Sequence, residues 1–79
     1  MNEIGHKIKL LRIKKGLSQE NLANELGITQ PSYARLEKED NRLKITRLIQ
    51  IANMLEVRVE ELIDTNLQNN VVQHKENVK

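Results

Sequence analysis

Cysteine, tryptophan and phenylalanine are absent from this chain, which holds one tyrosine and one proline. Without cysteine there is no disulfide framework and no thiolate metal site, and a reducing compartment, the cytoplasm, is the expected setting. With a single aromatic side chain the core must be aliphatic. No platform remains on which unpaired bases could stack, which argues against an RNA or single-strand binder. No apolar run reaches the length of a signal peptide or a membrane span, since the opening MNEIGHKIKLL already carries Glu3, Lys7 and Lys9. A soluble protein with no membrane partner is expected. Enzyme chemistry fails on inventory: His6 and His74 stand at opposite ends of the chain, with no paired carboxylates on a shared face and no glycine-rich phosphate loop. No catalytic residue, metal or cofactor is expected.

What is present fits one small domain, because 79 residues lie near the lower limit at which a single core holds without staples. The formal net charge of +2 is unevenly spread. Lys7, Lys9, Arg12, Lys14 and Lys15 crowd the first sixteen residues, whereas Glu56, Glu60, Glu61 and Asp64 gather near the other end of the folded part. The molecule should have a basic end and an acidic end.

Apolar spacing then divides the chain into helices. Ile4, Ile8 and Leu11 recur as one helical stripe, and Lys14-Lys15-Gly16 supplies cations and a left-handed stop. Ser18 offers an N-cap with Glu20 in the first turn, Leu22 and Leu26 mark a buried face, and Gly27 ends a short second helix. Thr29 or Gln30 caps a third helix, in which Tyr33 and Leu36 lie three apart. A fourth is read from Ile45, Leu48, Ile51, Ala52 and Leu55, and a fifth from Val59, Leu62 and Ile63. No strand alternation or repeat interrupts this pattern, so an all-α, five-helix domain is expected over residues 1–65. From residue 66 the composition turns to NLQNNVVQHKENVK, expected to be a linker, a frayed end, or a segment for assembly with a protein partner.

The window from Gln19 to Lys38 carries the most specific pattern. Two helices that cross steeply need a small residue at their closest approach, a glycine where the turn demands positive φ, and apolar residues that lock the pair onto a third helix. Ala23 and Gly27 meet the first two needs, and Leu22, Ile28, Tyr33 and Leu36 meet the third. Pro31 sits in the first turn of its helix, where backbone N–H groups have no intrahelical acceptor, so it marks the start rather than a break. With Tyr33 and Leu36 turned inward at 100° per residue, Pro31, Ala34, Arg35 and Lys38 face outward and Gln30 stands at the tip. A rigid tip with Gln30, Ser32 and Arg35 suits the reading of base edges: glutamine pairs bidentately with adenine, and arginine with guanine. Glu37 falls on the inner side, where a lone carboxylate is costly to bury and needs a partner.

The run LRIKKGLSQENLANELGITQPSYARLE, followed by IxxLxxIAxxLxV from Ile45 to Val57, resembles the helix-turn-helix family of Cro and the lambdoid phage repressors over residues 4–63. The resemblance implies a lambda-repressor-like five-helix domain that binds double-stranded DNA as a transcriptional regulator, with helix 29–38 in the major groove. It implies base reading by Gln30, Pro31, Ser32, Ala34 and Arg35, an ion pair between Arg12 and Glu37 beneath that helix, and a phosphate contact at Gln19. Lys38, Arg42 and Lys44 beyond the third helix stand ready to clamp the backbone on the other side. A repressor working as a homodimer is expected, because one short reading helix specifies only a few base pairs. Helix five and its flanks, with Met54, Val57, Val59, Ile63 and Leu67, are the expected dimer surface.

The chain also departs from the family. Glu39 and Leu43 stand where glycine and proline are frequent, Glu56 and Arg58 where glycine and serine or threonine are, and Leu10 and Ile13 where polar residues are. Antitoxin-like proteins and adaptors, which bind proteins, are the rival reading. A restriction-modification controller is the other, suggested by Leu43-x-Ile45 ahead of helix four.

Overall fold

The computed structural model describes residues 3–63. Five α-helices and one 3₁₀ turn follow in order: α1 (Glu3–Lys14), α2 (Gln19–Leu26), α3 (Gln30–Lys38), the 3₁₀ turn (Asp40–Arg42), α4 (Ile45–Leu55) and α5 (Val59–Ile63). Local chemistry sets most of their ends. Ser18 and Asn21 cap α2 reciprocally: the Asn21 N–H donates to Ser18 Oγ at 2.9 Å, and the Ser18 N–H to Asn21 Oδ1 at 2.8 Å. Gly27 closes the helix in the left-handed region at φ 74°, and its N–H reaches the carbonyls of Ala23 and Asn24. Three residues later α3 begins with Thr29 as N-cap, accepting from the Ser32 N–H at 3.2 Å, and Pro31 lies within the first turn.

The start of α1 is capped from a distance. Asp40 of the 3₁₀ turn accepts from the Ile4 N–H at 2.9 Å and the Gly5 N–H at 2.8 Å, one on each carboxylate oxygen. The two segments meet closely there: a Cβ at Gly5 would collide with the Glu37 carbonyl, so only glycine lets α1 approach the end of α3.

Helices α1 and α2 both pack on α3, and α5 closes against α1 and α4. The core between them is aliphatic around one ring: Ile8, Leu22, Ile51, Leu55 and Leu62 are buried with Tyr33. Glu39 ends α3 in an extended conformation, at φ −128°, so no glycine is required there, and buried Leu43 anchors the loop into α4. Glu56, by contrast, holds the left-handed C-cap of α4 at φ 59° in a residue with a side chain.

One core expectation is corrected. Ile45 does not join the buried stripe of α4 and is 57 % exposed. It lies at the margin of the arc that Leu48, Ile51, Ala52 and Leu55 share, in the first turn of the helix. Among the described residues no helix is long and apolar enough to cross a membrane. The segment 66–79, with Leu67, lies outside the described residues.

Candidate nucleic-acid interface

Helix α3 has a closed inner side and an open outer side. Inside, the Arg12 guanidinium grips Glu37 with two nitrogens, Nε to Oε2 at 2.7 Å and Nη2 to Oε1 at 3.2 Å. The remaining Arg12 nitrogen, Nη1, donates to the Leu17 carbonyl at 2.9 Å, tying the pair to the connection between α1 and α2. Tyr33, one turn before Glu37 on the same helix, donates its hydroxyl to Glu37 Oε2 at 2.6 Å. Gln19 Nε2 donates to Oε1 at 3.0 Å.

Burial alone would raise the Glu37 pKa, but hydrogen bonds from Arg12, Tyr33 and Gln19 outweigh it and hold the carboxyl below the usual range. Burial and the hydrogen bond to Glu37 push the Tyr33 hydroxyl well above its ordinary value, so it stays a donor. The Glu37 hydrogen bond also raises the Arg12 guanidinium further.

Gln19 carries this network to the surface. Its Oε1 accepts from Gln30 Nε2 at 2.8 Å, so the first residue of α3 is tethered through Gln19 to buried Glu37. A primary amide has two N–H donors and a carbonyl acceptor. The tether uses one donor of Gln30 and leaves it the other donor and its oxygen, the pair needed for a bidentate contact with adenine. Gln19, read from sequence as a phosphate contact, therefore also orients the tip residue.

On the outer side Gln30, Pro31, Ser32, Arg35 and Lys38 are exposed and Ala34 is half-buried. Leu22, Ala23, Tyr33 and Leu36 are buried beneath them, with Ile28 packed against the same cluster. Arg42 and Lys44 are exposed on the loop beyond α3, and Arg42 Nε pairs with Glu39. Met54, Val57, Val59 and Ile63 are half-buried and packed on the core, so only part of each is left for another molecule. The large apolar residues that stand most exposed are others: Leu10, Ile13, Ile45 and Ile49.

Two of these roles go beyond the reading of the sequence. Tyr33 as a donor to Glu37 follows from i,i+4 spacing and was open to inference. Asp40 as the cap of α1 had no local signal.

The helix-turn-helix family model (HTH_3) matches residues 8–62. The chain belongs to this helix-turn-helix family. It is 39 % identical over 57 residues to an HTH-type transcriptional regulator of Rickettsia prowazekii, a match covering 72 % of this chain and 44 % of that protein. A Bacillus subtilis regulator named in the same way is 38 % identical over 56 residues, 71 % of this chain and 48 % of its own. One from Sinorhizobium medicae is 41 % identical over 56 residues, 71 % of this chain and 40 % of its own. The chain thus spans less than half the length of these relatives. No solved structure matches it.

Proposed function

We propose that this chain is a sequence-specific, double-stranded DNA-binding transcriptional regulator, a repressor, that lays the outer side of α3 in the major groove and works as a two-fold dimer. The observation that carries the reading is the tether from Gln30 through Gln19 to Glu37. A side chain at the tip of a helix is ordinarily free to rotate, and here it is oriented from the core with its adenine-pairing groups still open. The helix-turn-helix family and the regulators it includes support the same conclusion, as does the exposed basic set Arg35, Lys38, Arg42 and Lys44. Gln30 and Arg35 are assigned to bases, with Pro31, Ser32 and Ala34 closing the contact. Gln19, Lys38, Arg42 and Lys44 are assigned to phosphates.

Selection of a binding site from random duplexes tests this directly. Enrichment of a two-fold-related site is expected, and Gln30→Ala should relax selectivity at one base pair in each half. A neutral Gln30→Ala would remove the tip from the reading surface.

Dimerisation is assigned to helix α5 and its flanks, since α3 and the basic end face DNA. Met54, Val57, Val59 and Ile63 keep partial exposure there, and Leu67 and the tail follow in sequence. Sedimentation equilibrium at tens of micromolar should show a dimer that Ile63→Asp weakens. A monomer unaffected by that change would restrict pairing to the DNA-bound state.

The adaptor reading draws on Leu10 and Ile13, each 54 % exposed on the outside of α1. A labelled random duplex at low salt separates the two: an adaptor shows no binding.

A further inference from the structure

Between α3 and α4 the surface folds into a notch of about 200 Å³ lined by Ile28, Ser32, Arg35, Leu36, Arg42 and Arg47. Half of that lining is arginine, drawn from three elements: Arg35 from α3, Arg42 from the 3₁₀ turn and Arg47 from the first turn of α4. No carboxylate residue lines it. Three like charges around one concavity repel, and an anion between them removes the repulsion.

Their donors remain largely open. Glu39 engages only Nε of Arg42, and Arg47 gives one N–H of Nη1 to Gln50 Oε1 at 3.0 Å. Ile28 and Leu36 supply apolar walls that strengthen electrostatic contact, and the Ser32 hydroxyl adds a hydrogen-bonding group. A second observation points the same way. Lys44, the N-cap of α4, makes no side-chain cap hydrogen bond, so the start of that eleven-residue helix has no acceptor from its own cap residue, and Arg47 of its first turn lines the notch.

We propose that this notch is a phosphate seat and that Arg47 completes it. The forked guanidinium donors of Arg42 and Arg47 match the oxygens of a phosphodiester. Arg35 lines the notch and also belongs to the outer side of α3, so it ties the register of base reading to the seated phosphate. The seat includes Arg42 but neither Lys38 nor Lys44, which divides the basic set into a fixed arginine clamp and two freely solvated lysines. This inference rests on the reading of α3 as the DNA-facing helix.

The test follows binding to a cognate and a random duplex as salt is varied, alongside an NMR titration of arginine side-chain resonances with inorganic pyrophosphate. Arg47→Gln should lower the salt slope by about 0.9 for each bound protomer, one phosphate contact apiece and so about 1.8 for a dimer, equally on both duplexes and without a change in melting temperature. Arg47→Lys should restore most of the slope. Wild-type duplex binding with an unchanged slope in Arg47→Gln would overturn the seat and leave the DNA reading standing. No duplex binding, but pyrophosphate shifts at Arg35, Arg42 and Arg47, would overturn the DNA reading and leave a site for a free anion. Neither binding nor shifts would remove both.

Discussion

The two sides of α3 are built from the same nine residues under opposite rules. On the inner side, Tyr33 and Glu37 spend their polar groups on one another, on Arg12 and on Gln19, and no buried side-chain nitrogen or oxygen among the described residues lacks a hydrogen bond. On the outer side Gln30 keeps a donor and an acceptor open, and Arg35 and Lys38 are solvated. A closed network fixes where the helix sits. An open one can meet an external partner, because its groups lose only water when a base or phosphate arrives. Substitutions inside should therefore change stability, and substitutions outside should change binding.

The largest effect is expected inside. Removing one partner of a buried ion pair leaves the other charge uncompensated, so Arg12→Ala or Glu37→Ala should each destabilise by about 3 kcal/mol or more. The double variant should cost less than the sum, measured by urea melts in a double-mutant cycle. Strict additivity would break the comparison at its base. The same pair fixes a pH dependence. Folding lowers the Glu37 pKa, so in acid the unfolded chain binds the extra proton. Its contribution is complete above the ordinary carboxylate pKa and disappears as pH falls below about 4, through the depressed folded value. In Glu37→Gln that part of the acid limb should vanish from urea midpoints taken between neutral pH and pH 3.

The next effect belongs to the outer side. Arg35→Ala should leave the melting temperature unchanged yet cost about 1 to 3 kcal/mol on a cognate duplex, with a smaller loss on random DNA, where only its share of the phosphate seat is removed. Equal loss on both, in fluorescence anisotropy at one salt concentration, would move Arg35 from the bases to the phosphates.

How much of this could be read from the sequence depends on how local the cause is. Gly27, Ser18 and Thr29 act on backbone groups within a few residues, so the boundaries of the helix-turn-helix were legible. Glu37 declared itself by falling on an apolar face, and the resemblance to Cro-like proteins supplied its partner. Ile45 was misread because periodicity places a residue on an arc without saying how far the covering elements extend over the first turn. Asp40 was missed because its partners, Ile4 and Gly5, lie 36 and 35 residues away. Arg47 was missed for a similar reason: on α4 alone it is one polar residue, and it acquires its neighbours Arg35 and Arg42 only where α3 and the 3₁₀ turn line the same notch.

Asp40 gives a prediction between the two sides, since it holds the loop that leaves α3. Losing a cap that satisfies two helix N–H groups costs about 1 kcal/mol, so Asp40→Ala should lower stability by that order. Asp40→Asn, which can still accept, should recover part of it. The loss should appear in hydrogen exchange at Ile4 and Gly5 before it appears in global melts.

The smallest effect on stability is the sharpest test of the division. Glu39 and Arg42 form an ion pair with both side chains about half exposed, and Arg42 lowers the Glu39 pKa chiefly by its hydrogen bond. Exposed pairs of this kind contribute little, because water already solvates both charges and ordering two long side chains costs entropy. Glu39→Gln should therefore leave the melting temperature unchanged within error. It removes a negative charge beside the arginine notch and releases Arg42 Nε, so non-specific duplex affinity should rise at low salt and the gain should shrink as salt is added. A fall in stability without any gain in binding would place Glu39 with the inner network, and the two sides of α3 would no longer divide as they do.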